Sequence, residues 1–595
     1  MMSDGGSDFA YSYHTFMFPF IWNDNGNIGM DEFAKALSKK HWFDISWGEE
    51  KIPSKYTGVT DEQYKRDYLL DYASSQYFTA AARDMVFNIR GDNVTRLFEF
   101  RYDGRSIRNE AKYVITKTQK YTRICEKYEL IINGIKLNLY NTGVAIITFE
   151  LEYHGTKVTD GKPGASRAID DVNKINEHGR RISYPYWPGE GMIHDLVADR
   201  IDIIFSEKVF SELFSENSND LQKNFELYKS EVSLTYVMDP ITQILELDSG
   251  FKLTSLRGKK ESGNLFIQPC IDDRMFVCCL VSDPEFAGRI KGDYAEKKEY
   301  AYLGDCGDSV DDECDIQTVS SELYRFLFIE NSSSCNSATM RHELLNDCVN
   351  NRWINWGTVY GVTHHSFVCV TGLPDKVQYN VINPFLTIYV HMARIALAQR
   401  ATLLALQAEA SALAEGLSMD GVVSVGQLGQ ISTLHEKFVK AQNQILLYEI
   451  TAQEQGVELF DKLQSQLNIG CGKDELNNQL KNLYSIANIN IDKLRLEAEQ
   501  REALADRMRD NTLYRVGFVA LFWAIVQVLP EIINVKKLIT FNDIPIVDRI
   551  INLVKPDGLV LMLFAFGLTI IVRKFVRRKV PGSKKRERRN RKRDS

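Results

Sequence analysis

The chain of 595 residues lacks the short signatures of the common catalytic folds. There is no Gly-x-Ser-x-Gly elbow, no phosphate loop ending in Gly-Lys-Ser/Thr, no His-Glu-x-x-His pair and no Gly-x-Gly-x-x-Gly turn opening a helix. Isolated His and Cys residues offer no base–nucleophile pairing, so the expectation is a protein that is not an enzyme. The ten cysteines include no Cys-x-x-Cys pair; Cys278 and Cys279 are adjacent, and Cys306 and Cys314 flank an acidic loop. None has zinc-ligand spacing. The first 20 residues hold no charged stretch followed by an apolar run, so no secretory signal is legible. The body of the chain is therefore expected in the cytoplasm, with reduced thiols.

What is present concentrates at the C-terminal end. The formal net charge of -7 hides a split: from Arg573 onward there are 13 Lys/Arg and 2 acidic residues, against 59 and 77 in the remainder. A basic tail beside an apolar segment reads as a topology signal that keeps positive charge on the cytoplasmic side, against anionic lipid. No direct contact with nucleic acid is expected. Two apolar stretches precede the tail, Val516–Ile533 and Leu559–Val572. A helical span needs about 20 apolar residues. The second stretch is short, and recruits Phe575, Val576 and the snorkelling Arg573 and Lys574. A pair of buried core helices is the competing reading, and the flanking basic clusters argue against it. Two spans return the C-terminus to the cytoplasmic side of an inner membrane.

Ala520, Trp523, Gln527, Glu531 and Asn534 are spaced 3, 4, 4 and 3, so they share one helix face. Polar groups in a span are costly and usually face a bundle interior or a water-filled path. In an oligomer the stripe becomes rings that line a cation pore. Alternatively, Glu531 and Asn534 are boundary residues past Pro530. The linking loop, about 534–558, includes Ile546–Val554, which has the pattern of a short interfacial helix.

Ahead of the first span, Leu476, Leu480, Leu483, Ala487, Ile491, Leu494 and Ala498 step by 3 or 4, and Ala505 and Met508 continue the stripe. A helix over 473–533 is about 90 Å long. Its stripe must be buried against neighbours, and self-association is the economical solution. Two more helices are expected, Asn383–Gly416, with Asn383 as N-cap and Pro384 at the first helical position, and Gln430–Asn468.

Cytoplasmic body, long stalk helix continuous with a first span, short second span and basic tail together resemble CorA-type channels. That resemblance covers about 380–595 and rests on layout. It implies a homo-oligomer, a pentamer in that family, and movement of divalent cations, with Mg2+ as a possible ligand. The Gly-Met-Asn (or Gly-x-Asn) tripeptide of that family is missing; this chain has Pro530-Glu531-Ile532-Ile533-Asn534. Ordinary magnesium transport is thereby put in doubt. The expected architecture is an α+β cytoplasmic domain (1–375), a helical stalk (380–515), a two-helix transmembrane domain (516–572) and a basic cytoplasmic tail (573–595).

In the body, Tyr11–Trp22 reads as an aromatic strand, and Thr60-Asp61-Glu62-Gln63 as a capping box opening a helix to about Met85. Strands are expected at Thr95–Tyr102, Tyr128–Ile132, Ile135–Tyr140 and Val144–Tyr153. Asn133-Gly134 and Asn141-Thr142-Gly143 join the last three as hairpins. Later strands are expected at Met275–Val281, Tyr324–Glu330 and Ser366–Thr371, giving a domain built on an antiparallel sheet. The aromatic start and the His364-His365-Ser366-Phe367 strand resemble the CorA-like effectors encoded beside type III CRISPR systems. The resemblance implies an antiviral membrane effector. Its N-terminal domain would bind a nucleotide second messenger, an S-adenosylmethionine–AMP conjugate, and binding would open a pore or disrupt the membrane. No covalent cofactor is implied.

Each candidate site residue has a bland reading beside the functional one. His14, Phe16, Phe18 and Trp22 can stack an adenine, or are core aromatics. Arg90, Arg96, Arg101 and Arg105 can meet a phosphate by bidentate hydrogen bonds, or lie on a solvated strand face. His364 and His365 reach a ligand or metal, or one is a satisfied core histidine. Tyr184–His194 has the composition of a lid, and equally of a surface loop. In Asp305–Asp315, Asp308, Asp311 and Asp312 are candidate cation ligands, though the spacing is not that of an EF-hand and a solvated loop is the default. Two other functions fit the chain less well: a CorA-type magnesium or cobalt channel without the tripeptide, and a membrane-tethered enzyme or scaffold.

Overall fold

The computed structural model describes residues 10–23, 29–37, 39, 41–45, 73–87, 97–102, 111–119, 122–165, 168–181, 198–205, 208–213, 239–245, 252–254, 264–272, 274–295, 319–330, 335–372, 374–416 and 425–536, and near the C-terminus 566–568, 570, 571 and 574. The chain divides into two compact units, 1–485 and 486–595. The first holds an α/β domain with a large sheet, followed by a mostly helical region.

The strands are β1 (Ser12–Asn23), β2 (Trp42–Asp44), β3 (Leu97–Tyr102), β4 (Lys112–Thr118), β5 (Cys125–Tyr140), β6 (Val144–Tyr153), β7 (Thr156–Thr159), β8 (Lys162–Ala165), β9 (Arg200–Phe205), β10 (Lys208–Leu213), β11 (Lys252–Thr254), β12 (Asn264–Pro269), β13 (Phe276–Ser282), β14 (Val349–Asn350), β15 (Val359–Val362) and β16 (Ser366–Thr371). Their central order is β10-β9-β4-β5-β6-β1-β13-β16-β15-β14. Pairing is antiparallel except for β13 with β16 and β11 with β12. The aromatic run of β1 sits mid-sheet between β6 and β13, where both of its faces are buried.

Both faces are covered. Helix α1 (Ile169–Gly179) packs on β4 and β13, while α2 (Pro284–Ala295) and α3 (Val319–Phe328) pack on β16. Helix α4 (Val390–Gly416) lies against β1 and β6. Period-2 alternation in β1 sends His14 and Phe16 toward α1. Thr15 and Met17 take the opposite face, where Arg394 of α4 lies. Helices α5 (Val425–Gln444), α6 (Glu454–Gln466) and α7 (Ile469–Lys536) follow.

Several local expectations change. Asn133-Gly134 does not turn the chain: β5 runs unbroken through it, with a register shift between Ile132 and Gly134. A bulge absorbs the extra residue without reversing direction. A Cβ at Gly134 would stand 2.9 Å from the Glu150 carboxylate, so the missing side chain serves a close approach and not a turn. Asn141-Thr142-Gly143 does make the expected hairpin, with Gly143 at φ 85°. Tyr324–Glu330 is largely the end of helix α3, because Leu323, Phe326 and Leu327 fall on one buried helical face. The helix expected to start at Asn383 begins upstream; residues 374–416 are helical, with π-helical turns at Gln378–Ile382 and Phe385–Tyr389 around Pro384. A widened turn accommodates a proline that cannot donate its backbone hydrogen bond. The single helix expected over 430–468 is two, because the chain turns between α5 and α6. There Gln399 of α4 donates to the carbonyls of Ile445 and Leu447, each at 2.9 Å.

Among the described residues, one helix is long and apolar enough to cross a membrane, Gln378–Glu415, but 72% of its most apolar stretch is buried inside the protein. It also carries the buried polar side chains His391, Arg394, Gln399 and Thr402. It is a core helix by these contacts. Most of the expected helix from Thr60 lies outside the described residues, apart from 73–85 at its end.

Candidate functional site

His14 and Phe16 sit side by side in the core, with ring centroids 6.0 Å apart. His14 Nδ1 lies 2.7 Å from Asn176 Oδ1 and Nε2 lies 2.8 Å from Ser12 Oγ. Burial holds the imidazole down at about 4, against the opposing Asn176 hydrogen bond. The neutral ring therefore donates to Asn176 and accepts from the Ser12 hydroxyl, which leaves neither nitrogen open. Cys279 Sγ is 3.6 Å from Nδ1, but burial pushes this thiol up to about 12. A neutral imidazole beside a protonated thiol is not a nucleophile pair. Trp22 stacks on Phe33 at 5.0 Å.

Arg101 lies on the opposite face of the sheet, in a polar layer beneath α4. Its Nη2 donates to the Asn133 carbonyl at 3.0 Å. Lys136 meets Glu150 at 2.7 Å, and Arg394 meets Glu99 at 3.5 Å. Asn138, Thr148 and Arg394 line this layer with buried polar atoms that have no hydrogen-bond partner among the described residues. Arg90, Arg96, Arg105, Tyr184–His194, Asp308, Asp311 and Asp312 lie outside the described residues. Among the described residues no group of three or more His, Cys, Asp or Glu side chains is arranged to hold a metal ion.

His364 and His365 part company. His364 Nε2 lies 3.2 Å from Asn468 Nδ2, and burial with the nearby Arg400 guanidinium lowers its pKa. His365 Nδ1 faces Asp272 at 3.6 Å. It belongs to a cationic cluster that sequence reasoning did not single out. Arg180 caps the C-terminal end of α1, Arg181 forms an isolated antiparallel bridge with Arg274, and the Met275 amide donates to the Arg180 carbonyl at 2.8 Å. The Val277 amide donates to the His365 carbonyl at 3.0 Å. Main-chain bonds thus fix three guanidinium-bearing residues and a histidine at the start of β13 and β16. Arg274 is neutralised by Asp272 through contacts of 2.7 and 2.8 Å. Arg180 is 3% exposed, and its Nε and Nη1 have no partner among the described residues. Burial lowers its pKa to about 9, with Arg274 and Arg181 adding to the shift. His365 is lowered to about 4 by burial, then by Arg274 and Arg180. The signal for this cluster in the sequence was the Arg180-Arg181 pair closing a helix; the approach of Arg274 was not legible.

In the second unit, α7 continues unbroken through Pro530 to Lys536. Of the stripe, Leu476, Leu480 and Leu483 in the first unit and Ala487 in the second are buried, whereas Ala498, Ala505 and Met508 in the second are exposed. Leu513, Val516, Val519, Leu521 and Trp523 are all more than two-fifths exposed. Phe522 meets Phe566 of the second apolar segment edge-on at 6.4 Å. Of the pore candidates, Ala520, Trp523 and Gln527 are exposed. Glu531 and Asn534 lie on the same helix, with side chains outside the described residues. Compared with known proteins, the chain matches no family model, no curated protein and no solved structure.

Proposed function

We propose that this chain is a membrane effector gated by a nucleotide second messenger of the S-adenosylmethionine–AMP type. The observation that carries the membrane half is the open apolar surface of α7 from Leu513 to Trp523, with Phe566 of the second segment beside Phe522. Each large apolar side chain left in water forgoes about 1.5–3 kcal/mol of burial. Lipid, or lipid with further copies of the chain, supplies that burial. In this reading 516–572 forms two spans of an inner-membrane protein with both termini cytoplasmic. The copies assemble about the stripe of α7, a pentamer by the CorA likeness, and the stripe from Ala520 to Asn534 lines the path. The sensory half rests on the α/β domain and its arginine clusters. The chain acts by binding and by perturbing the membrane, as part of antiviral defence of the type III CRISPR kind, and not by covalent catalysis.

The test is reconstitution of the full chain in dye-loaded liposomes, with the S-adenosylmethionine–AMP conjugate and cyclic oligoadenylates added side by side. Leakage that requires one nucleotide supports the reading. Magnesium or cobalt uptake without any nucleotide points instead to a CorA-type channel. Liposomes that stay tight with every nucleotide, together with harmless expression, sink it.

A further inference from the structure

We propose that Arg180, Arg181, Arg274 and His365 form a binding site for the phosphate group of a small soluble ligand. The geometry is that of a built site and not a surface patch. Arg180 lies at the base, 3% exposed, while Arg274 and His365 stand at a more open rim, with side chains 28% and 40% exposed. Main-chain bonds from Arg180 to Met275, from Arg181 to Arg274 and from His365 to Val277 hold all four in register, so the site is assembled before any ligand arrives.

Charge explains why an anion belongs there. Folding three guanidinium groups together, with Arg180 and Arg181 both buried, is unfavourable unless negative charge and hydrogen-bond acceptors are supplied. Asp272 is already engaged by Arg274. Glu177 lies within electrostatic reach of Arg180, as does Glu330, yet neither fills its two open donors. Beyond burial, Arg274 and Arg181 bear on Arg180, and Arg274 and Arg180 bear on His365, with Glu177 and Asp272 opposing. A phosphate brings negative charge and several acceptor oxygens, and arginine is the side chain best shaped to receive them. The inference rests on the nucleotide reading above only for the identity of the physiological ligand.

The experiment uses the full chain in nanodiscs, made with and without phosphatidylglycerol, titrated with inorganic pyrophosphate and with AMP. Saturable binding by calorimetry in lipid free of phosphatidylglycerol is expected, weakened tenfold or more in Arg180→Gln and in the rim variant His365→Ala. Lys437→Gln, far along the chain on α5, is expected to bind as wild type. The ligand-free unfolding midpoint of Arg180→Gln is expected to hold or rise, because a like-charge contact is removed. A lowered midpoint with unchanged phosphate affinity makes Arg180 merely structural and overturns the proposal. Absence of wild-type binding at millimolar ligand also overturns it, as does binding that appears only with phosphatidylglycerol. Liposome leakage is read separately. Phosphate binding without leakage spares this site and sinks the effector reading, whereas leakage without phosphate binding does the reverse.

Discussion

His14 ties acid sensitivity to the centre of the sheet. Its folded form titrates at about 4, against about 6.5 for an unfolded histidine. The unfolded chain therefore takes up the proton first. The contribution of this ring to stability is complete above the unfolded value and is lost as pH falls toward the folded one, by about 3 kcal/mol in all. Urea midpoints measured across that range should fall less in His14→Asn than in wild type; identical slopes would mean the ring is not held neutral. Gly179 makes a second residue-scale prediction. A Cβ there would stand 2.8 Å from Ile115 Cδ1 and 2.9 Å from a Phe16 ring carbon, between two fully buried side chains. Gly179→Ala should cost about 1–3 kcal/mol by overpacking, read as a lowered thermal midpoint. At this scale the sequence marked His14, Phe16 and Trp22 as one aromatic strand. It did not show that Asn176 and Ser12 occupy both nitrogens of His14, because those partners converge from an adjacent pleat and a distant helix.

Among the elements, α7 carries the sharpest test. Gln527→Leu combined with Glu531→Leu keeps the helix apolar and should leave the chain in the membrane pellet after carbonate washing. Nucleotide-dependent leakage should drop to the level of empty liposomes. If leakage persists, the stripe does not line the path. Val519→Arg places a charge within the apolar stretch, at a cost of about 2.5–3.5 kcal/mol near a span centre, and should shift protein out of the washed pellet. The elements also separate what local pattern decides from what it does not. Runs of apolar and aromatic residues located β1, β6 and β16, strands buried along most of their length on both faces. The same signal misread 324–330, where a run of mixed apolar and aromatic residues satisfies both periods and only the neighbours on β16 select the helix. The Asn-Gly turn signal likewise misplaced a hairpin at Gly134, where the glycine answers to Glu150 on the next strand.

For the whole molecule, the stripe of α7 predicts self-association. Met508 is 71% exposed on it. Met508→Cys in native membranes should give disulfide-linked dimers on mild oxidation, seen on a non-reducing gel; monomer alone would remove the oligomer from the proposal. The sequence by itself determined the features that repeat along the chain: the strand-rich N-terminal half, the helical region after it, the apolar stretches at 516–533 and 559–572 and the basic end. These are legible because a helix or strand writes its period into consecutive residues. The tertiary structure decided the rest. It put the apolar helix Val390–Gly416 into the core against β1 and β6, where its polar side chains meet the sheet. It also brought Arg274 and His365 to Arg180 across strands distant in sequence. Such encounters depend on sheet order and register, which no single segment encodes.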